Sequence, residues 1–243
     1  MIFNVDSNFS KNGNKIVAPS SLKNVRCEFS GTDNLLVIHE DARISDILFQ
    51  FPSNHGLIVI GKGVRVRGRV RAGYKSKVYI GDWTTSTTSI QIFTAEHTKV
   101  VVGEDNMFAH NVMIRSEDGH GIFDVESGER VNKSRDVIIG AHVWIAENSI
   151  VLAGSCIGSG TTIGCLSLVK GFIPNNCVAV GSPAKVVKKN TVWERTNLAF
   201  SEPWIRDNSV HQNIKSTPYY FKTKDDRNIL LGQSVMKMQE LYE

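Results

Sequence analysis

Long apolar runs are missing from this sequence. The opening residues, MIFNVDSNFSKNGNK, hold no stretch suited to a secretory signal, and no later segment approaches the ~20 apolar residues of a membrane helix. A cytoplasmic protein is therefore expected. Cysteine is scarce: Cys27, Cys156, Cys165 and Cys177 form no C-x-x-C pair and have no histidine at metal-ligand spacing, which argues against zinc. They read as small buried or half-buried thiols, and no metal is expected. Residues 1–50 lack G-x-G-x-x-G, so a nucleotide-binding βαβ unit is not expected there. Excess charge is slight: 28 Lys and Arg against 24 Asp and Glu leave +4, too little by itself to imply nucleic acid. The remaining composition, 41% apolar and 21% charged over 243 residues, is that of one soluble domain with an appendage.

What is present is a repeat. From Ile139 an aliphatic residue recurs every six positions: Ile139, Ile145, Val151, Ile157, Ile163 and Val169. Two residues before each stands Val137, Val143, Ser149, Ser155, Thr161 or Ser167, and glycine often follows it. A helix would repeat at three and four, and a free strand at two. A strict six fits a chain that turns a corner every six residues and closes a triangular coil every eighteen, each coil stable only against its neighbours. Upstream, Ile38, Ile44, Ile60, Val66, Ile80, Val102, Phe108 and Ile114 are placed in the same register, and the hydroxyl run Thr84 to Ser89 suits tight corners. The expected fold is all-β, a parallel β-helix over residues 23–188, with a lead segment 1–22 and an extension 189–243. Between Ile114 and Val137 the sixes vanish. A polar, glycine-containing loop, 115–136, must leave the stack there, and a loop of that length in a compact domain is usually functional.

The segment VIIGAHVWIAENSIVLAGSCIGSGTTIGCLSLVKGFIPNNCVAVGSPAKVVKK resembles the hexapeptide-repeat acyltransferases, whose β-helix is left-handed. It is closest in appearance to the capsular-polysaccharide and polysialic acid O-acetyltransferases. The resemblance covers residues 57–189 and is most specific in SEDGHGIFD, in VWI and in IPNN…GSPAKVVK. It implies a homotrimer with active sites between subunits, acetyl-CoA as co-substrate, and a histidine general base on the loop, here His120. An imidazole titrating near neutrality is suited to take the proton of a sugar hydroxyl as it attacks a thioester. Asp118, Asp124 and Glu126 are all near enough in sequence to orient it, and Asp118 is favoured. Trp144 matches the family tryptophan near the reaction centre. By the same matching Ala146, where glycine is common, lies at the CoA site with Trp144. Cys165 and Lys170 would touch pantetheine, and Lys185 and Lys188 the phosphates. His39, His55, His97, His110, His142 and His211 are expected at surfaces or interfaces. A γ-type carbonic anhydrase shares the fold, but His97, His110 and His120 do not match its ligand spacing.

The sharpest local anomaly is GKGVRVRGRVRAGYKSK, residues 61–77, with seven cations and no acid. Arg65, Arg67, Arg69 and Arg71 alternate with Val64, Val66, Gly68 and Val70, so an extended chain puts the arginines on one outward face. Unanswered by carboxylates, such a stripe calls for an anion: an acidic polysaccharide is favoured over CoA phosphate. After Lys189 the chain becomes aromatic, with Trp193, Trp204, Tyr219, Tyr220 and Phe221. Asp225 or Asp226 then reads as the N-cap of a helix whose middle is weakened by Gly232. A cap over the open coil end is expected of this extension. The reading is an O-acetyltransferase acting on a sugar hydroxyl of a surface glycan. Its alternatives are N-acetylation of an amino-sugar nucleotide and a non-enzymatic β-helix binding protein.

Overall fold

A computed structural model of the chain describes residues 2–5, 8–20, 22–195, 199, 218–227 and 229–242. His211 and Trp204 lie outside the described residues. The architecture is a left-handed parallel β-helix with one C-terminal helix. Its core is a single column of inward aliphatics in which Ile139, Ile145, Val151, Ile157, Ile163 and Val169 are fully buried. The residues two positions earlier fill the corner space and also satisfy its backbone. Ser149, Ser155 and Thr161 donate to the carbonyls of Gly164, Val169 and Pro174 at 2.9, 3.0 and 2.7 Å. A small hydroxyl residue fits the corner and gives these carbonyls a hydrogen-bond donor.

The upstream half departs from the sixes. Leu35 pairs with Leu57 and Lys77 with Lys99, steps of 22 residues, whereas Ile138 pairs with Cys156, a step of 18. In the longer coils only two strands alternate. One is short, as in Leu35–Ile38, Leu57–Ile60, Lys77–Ile80 and Lys99–Val102. The other is long, as in Lys23–Phe29, Ser45–Phe51, Arg65–Ala72 and Thr85–Thr94. Thr85–Thr94 then pairs through its start with Met107–Phe108 and through its end with Met113–Arg115. The wide side thus splits in two, and from there each coil has three sides. The upstream aliphatics do point inward, and Ile38/Ile44, Ile60/Val66 and Val102/Phe108/Ile114 keep a spacing of six within a coil, but the step from coil to coil is 20 to 22 residues. Nor does the run Thr84 to Ser89 form tight corners, since most of it lies in the long strand, with a register shift between Thr85 and Ser89.

Parallel pairing begins at Lys15, ahead of the boundary expected at residue 23. Antiparallel strands cover edges at both ends: Ile2–Asn4 on Lys23–Phe29 and Phe9–Lys11 on Asn14–Val17 at one, and Ala184–Lys189 on Cys177–Gly181, one of three sides, at the other. They shield edges that would otherwise recruit further strands. The C-terminal helix, Gln233–Tyr242, therefore does not cap an open end. It packs on the wall of short strands, with Val235 fully buried against Leu57, Val59, Tyr79 and Val101. Gly61 and Gly81 permit that approach, because a Cβ at either would fall within 2.7 Å of Met238 or Val235. The helix starts only after Gly232, whose φ is +89°, so the N-cap expected at Asp225 or Asp226 is not used. Asp225 instead pairs with Lys189 at 3.2 Å.

Candidate active site

The extruded loop leaves the corner after Met113–Arg115 and returns at Val137–Ile139. Its root is pinned by Glu117, which is 5% exposed and accepts from Arg71 at 2.7 Å and from Arg115 at 3.3 Å. Both guanidiniums also lie over the Phe93 ring, at 4.6 and 5.9 Å. The hydroxyls of Ser116 and Thr98 are 2.6 Å apart. On the return limb Glu96 accepts from Arg130 and Ser134. Those hydrogen bonds hold its carboxyl at about 2, well below the usual carboxylate range. Across the loop Asn132 donates to the Asp118 carboxylate at 3.0 Å and to the His120 carbonyl at 2.9 Å, and accepts from the Ile122 amide at 2.7 Å.

The chain thus presents His120 exposed at the start of a braced hairpin. Its imidazole makes no hydrogen bond among the described residues. Asp118 is bound by Asn132 and reaches the histidine only through that residue's amide. Asp124 accepts from the Glu126 and Ser127 amides, capping its own turn. Asn132 and the Glu117 clamp went unrecognised in the sequence. Their partners stand up to 46 residues away, with no local pattern to announce them. Asp118 and Lys170 share a cavity of about 350 Å³ beside the loop, lined also by Lys133 and Arg135.

The other expected residues lie elsewhere. Trp144 sits in register between Met107 and Thr162, and the file continues through Val178 to Lys188. On the same wall the Ala146 amide donates to the Ile163 carbonyl at 2.8 Å, and Lys185 is exposed. Cys165 is exposed at the following corner, not buried as expected; a residue just outside the inward position of its repeat faces solvent. Of the three sides of the coil, this wall is the one opposite the corner from which the loop departs. The loop and the Trp144 wall therefore lie on opposite sides of one stack.

A cluster missed at the sequence level flanks Trp144. His142, expected at a surface or an interface, is only 6% exposed. Its ring is stacked between Trp193 and Tyr219, with centroids 4.2 and 4.8 Å away. Nδ1 lies 2.6 Å from Asp105 and Nε2 3.0 Å from the Trp193 carbonyl. Burial pushes the Asp105 carboxyl up, but hydrogen bonds and charge from His142 and Arg195 outweigh it and hold the group below its ordinary value. Trp193 also tilts against Trp144, centroids 6.2 Å apart. The extension thus docks beside Trp144, although its aromatics gave no sign of where.

The arginine stripe alternates as expected. Arg65, Arg67 and Arg69 are exposed, and Val66 and Val70 buried. Arg71 departs from it, because its charge is answered by Glu117 and it belongs to the loop root. Arg67 lies 3.2 Å from the Ser45 hydroxyl. Arg69 and Arg26 line one shallow cavity of about 400 Å³.

A coil stack with an exposed histidine on a braced loop and a tryptophan wall opposite it defines a β-helix acyltransferase. No family model matches the chain. It is 35% identical over 166 residues to the polysialic acid O-acetyltransferase of Neisseria meningitidis, covering 68% of this chain and 77% of that one. It is 36% identical over 140 residues to the polysialic acid O-acetyltransferase of Escherichia coli O1:K1 / APEC, covering 58% of this chain but only 45% of that protein's length. The crystal structure of the polySia-specific acetyltransferase NeuO superposes with a TM-score of 0.67 at 30% identity, over 84% of this chain and all of that one. The chain belongs to the hexapeptide-repeat O-acetyltransferase family.

Proposed function

We propose that this chain, as a homotrimer in the cytoplasm, transfers an acetyl group from acetyl-CoA to a hydroxyl of an acidic surface glycan. The observation that carries the reading is the pair of half-sites on opposite sides of one stack. In a closed ring of three, the loop of each copy meets the wall of the next. The loop tip supports this: Ile122, Phe123, Val125 and Val131 are 56–98% exposed, an apolar group that a second copy would cover. The acidic acceptor is supported by the exposed cations Arg65, Arg67 and Arg69 and by the names of the relatives. Among the described residues no helix is long and apolar enough to cross a membrane.

His120 takes the proton of the acceptor hydroxyl as its oxygen attacks the thioester carbonyl. The carbon–sulfur bond breaks as the tetrahedral centre collapses, and the CoA sulfur leaves and takes up a proton. Asn132, tied to both Asp118 and the His120 backbone, holds the histidine's segment in place. Trp144 positions the thioester. Lys185 and Lys188 suit phosphates by charge and exposure, and Lys170 lies at the loop-side cavity where the pantetheine arm of a neighbouring copy's donor would pass. Among the described residues no group of three or more His, Cys, Asp or Glu could hold a metal.

The test is incubation with acetyl-CoA and a panel of acidic and neutral glycans, with acetylated products scored by mass spectrometry. The expected result is transfer to acidic glycans and a loss of about a hundred- to ten-thousand-fold in His120→Ala. Transfer confined to neutral sugars would remove the acidic acceptor from the reading. A His120→Ala rate within a few-fold of wild type would remove the base.

A further inference from the structure

Trp83 is an unusual residue in an unusual conformation. It stands at a coil corner with φ of +61°, in the left-handed region that a bulky side chain normally avoids. Its indole is 50% exposed. One face rests on Gly63, where a Cβ would come within 2.3 Å of the ring. The rest of the half-exposed indole borders a cavity of about 220 Å³ lined by Asp41, Arg43, Lys62, Gly63, Arg65 and Trp83. Lys62 and Asp41 are 3.6 Å apart and answer one another. Arg43 and Arg65 are exposed, and their guanidiniums have no carboxylate partner among the described residues. An aromatic platform flanked by two unanswered guanidiniums matches a ring that is apolar on one face and carries a carboxylate at its edge.

We infer that Trp83, Arg43 and Arg65 form an acceptor subsite for a carboxylate-bearing sugar residue, remote from the reacting hydroxyl. The inference rests on the acidic-glycan reading above and extends it to a specific place. Arg65 pairs with Thr85, Thr85 with Met107 and Met107 with Trp144, all in one register file. Three strand spacings separate Arg65 from Trp144, about 14 Å. Beyond Trp144 the same file runs the other way to Lys188, on the side assigned to the CoA phosphates. Donor and acceptor therefore approach Trp144 from opposite ends of one wall, which leaves the Trp83 end to the glycan. No single sugar spans that distance, so the subsite acts only on an oligomer.

The experiment measures acetyl transfer by the full chain to sialic acid monomer and to oligomers of graded length. Trp83→Asn removes the ring but tolerates the positive φ, and should raise KM for long oligomers about tenfold, the scale of one stacked ring. KM for acetyl-CoA and the rate with monomer should stay within about two-fold of wild type. Trp83→Phe should restore most of the affinity. Arg43→Gln should weaken acidic oligomers and leave carboxyl-reduced ones unchanged. Oligomer KM within two-fold of wild type in Trp83→Asn would overturn the subsite while leaving the acidic-glycan reading intact. A change in KM for acetyl-CoA instead would make the platform part of the nucleotide site, and dissociation of the trimer would make it a subunit contact. Both results overturn the proposal. If wild type acetylates no acidic oligomer, that reading fails by itself. The subsite then stands or falls on direct titration, where sialic acid oligomers should quench wild-type tryptophan fluorescence saturably and fail to do so in Trp83→Phe.

Discussion

Two inactive chains should restore one another. His120→Ala keeps the Trp144 wall but loses the base, and Trp144→Ala keeps the loop but loses the wall. The loop root is clamped at Glu117 by Arg71 and Arg115, leaving three residues to carry His120 away from it, about 10 Å of extended chain. Passing round one side of the coil to the wall of the same chain takes about six residues, or about 20 Å. On the proposed assembly each loop therefore serves another copy's wall. When the two variants are co-expressed in equal amounts and associate at random in threes, about one quarter of the sites combine an intact loop with an intact wall. Acetyl transfer per subunit should return to about a quarter of wild type, although each parent alone is impaired. The assay is product formation by mass spectrometry, since a thiol reagent would also read the exposed Cys165. Mixed trimers would be verified by two different tags. If verified mixed trimers were no more active than the mean of the parents, the two half-sites would not meet between copies, and the proposed assembly would be wrong.

Glu117→Gln should lower kcat by about tenfold with KM for acetyl-CoA nearly unchanged, because it removes the charge that holds Arg71 and Arg115 together at the root of the loop. The half-exposed arginines can rehydrate, so the stability loss should be about 1–3 kcal/mol, and steady-state kinetics with a melting curve separates the two effects. Glu96 holds the return limb with a folded value near 2 against 4.5 unperturbed. A depressed carboxyl contributes stability that is complete above about pH 4.5 and is lost as pH falls through about 2. Pepsin cleavage within residues 122–131, taken relative to Glu96→Gln, should therefore rise from pH 4 to pH 2; a constant ratio would contradict it. His142→Leu removes the bonds to Asp105 and to the Trp193 carbonyl, and should speed tryptic cleavage after Arg195 and shift tryptophan emission to the red, both absent if the extension docks by other means.

Legibility in the sequence tracked the distance over which each feature is determined. Ile139 to Val169 repeat at six because every side of those coils carries one inward residue at the same place, so a local count suffices. Upstream, the coils of 20 to 22 residues have a long side whose length is set by pairing with the coil above, and alternation within Arg65–Ala72 masks the coil period. His120 was legible through a contiguous motif, SEDGHGIFD. His142 was not: it follows Ala141 at a corner, and only Trp193 and Tyr219, docked there from 51 and 77 positions on, bury it. The same holds for Arg71, which its own strand presents as one more member of a cationic stripe. Glu117, from the loop, claims it.

The change in cross-section bears on why the loop leaves where it does. Thr85–Thr94 is the last strand to span the wide side, and in the next coil Met107–Phe108 and Met113–Arg115 divide it. A coil with a continuous long strand has no corner at which to release a loop on that side without breaking its ladder, whereas the divided coil ends its second strand at Arg115 and frees the chain. The wide coils below present Arg65, Arg67 and Arg69 along one continuous strand. The narrow coils above instead alternate sides every six residues, which places Trp144 opposite the loop. Shortening Thr85–Thr94 by inserting a corner at Ser89 would thus disturb the cationic surface before it disturbed the loop, and should weaken acidic acceptors while leaving acetyl-CoA binding intact.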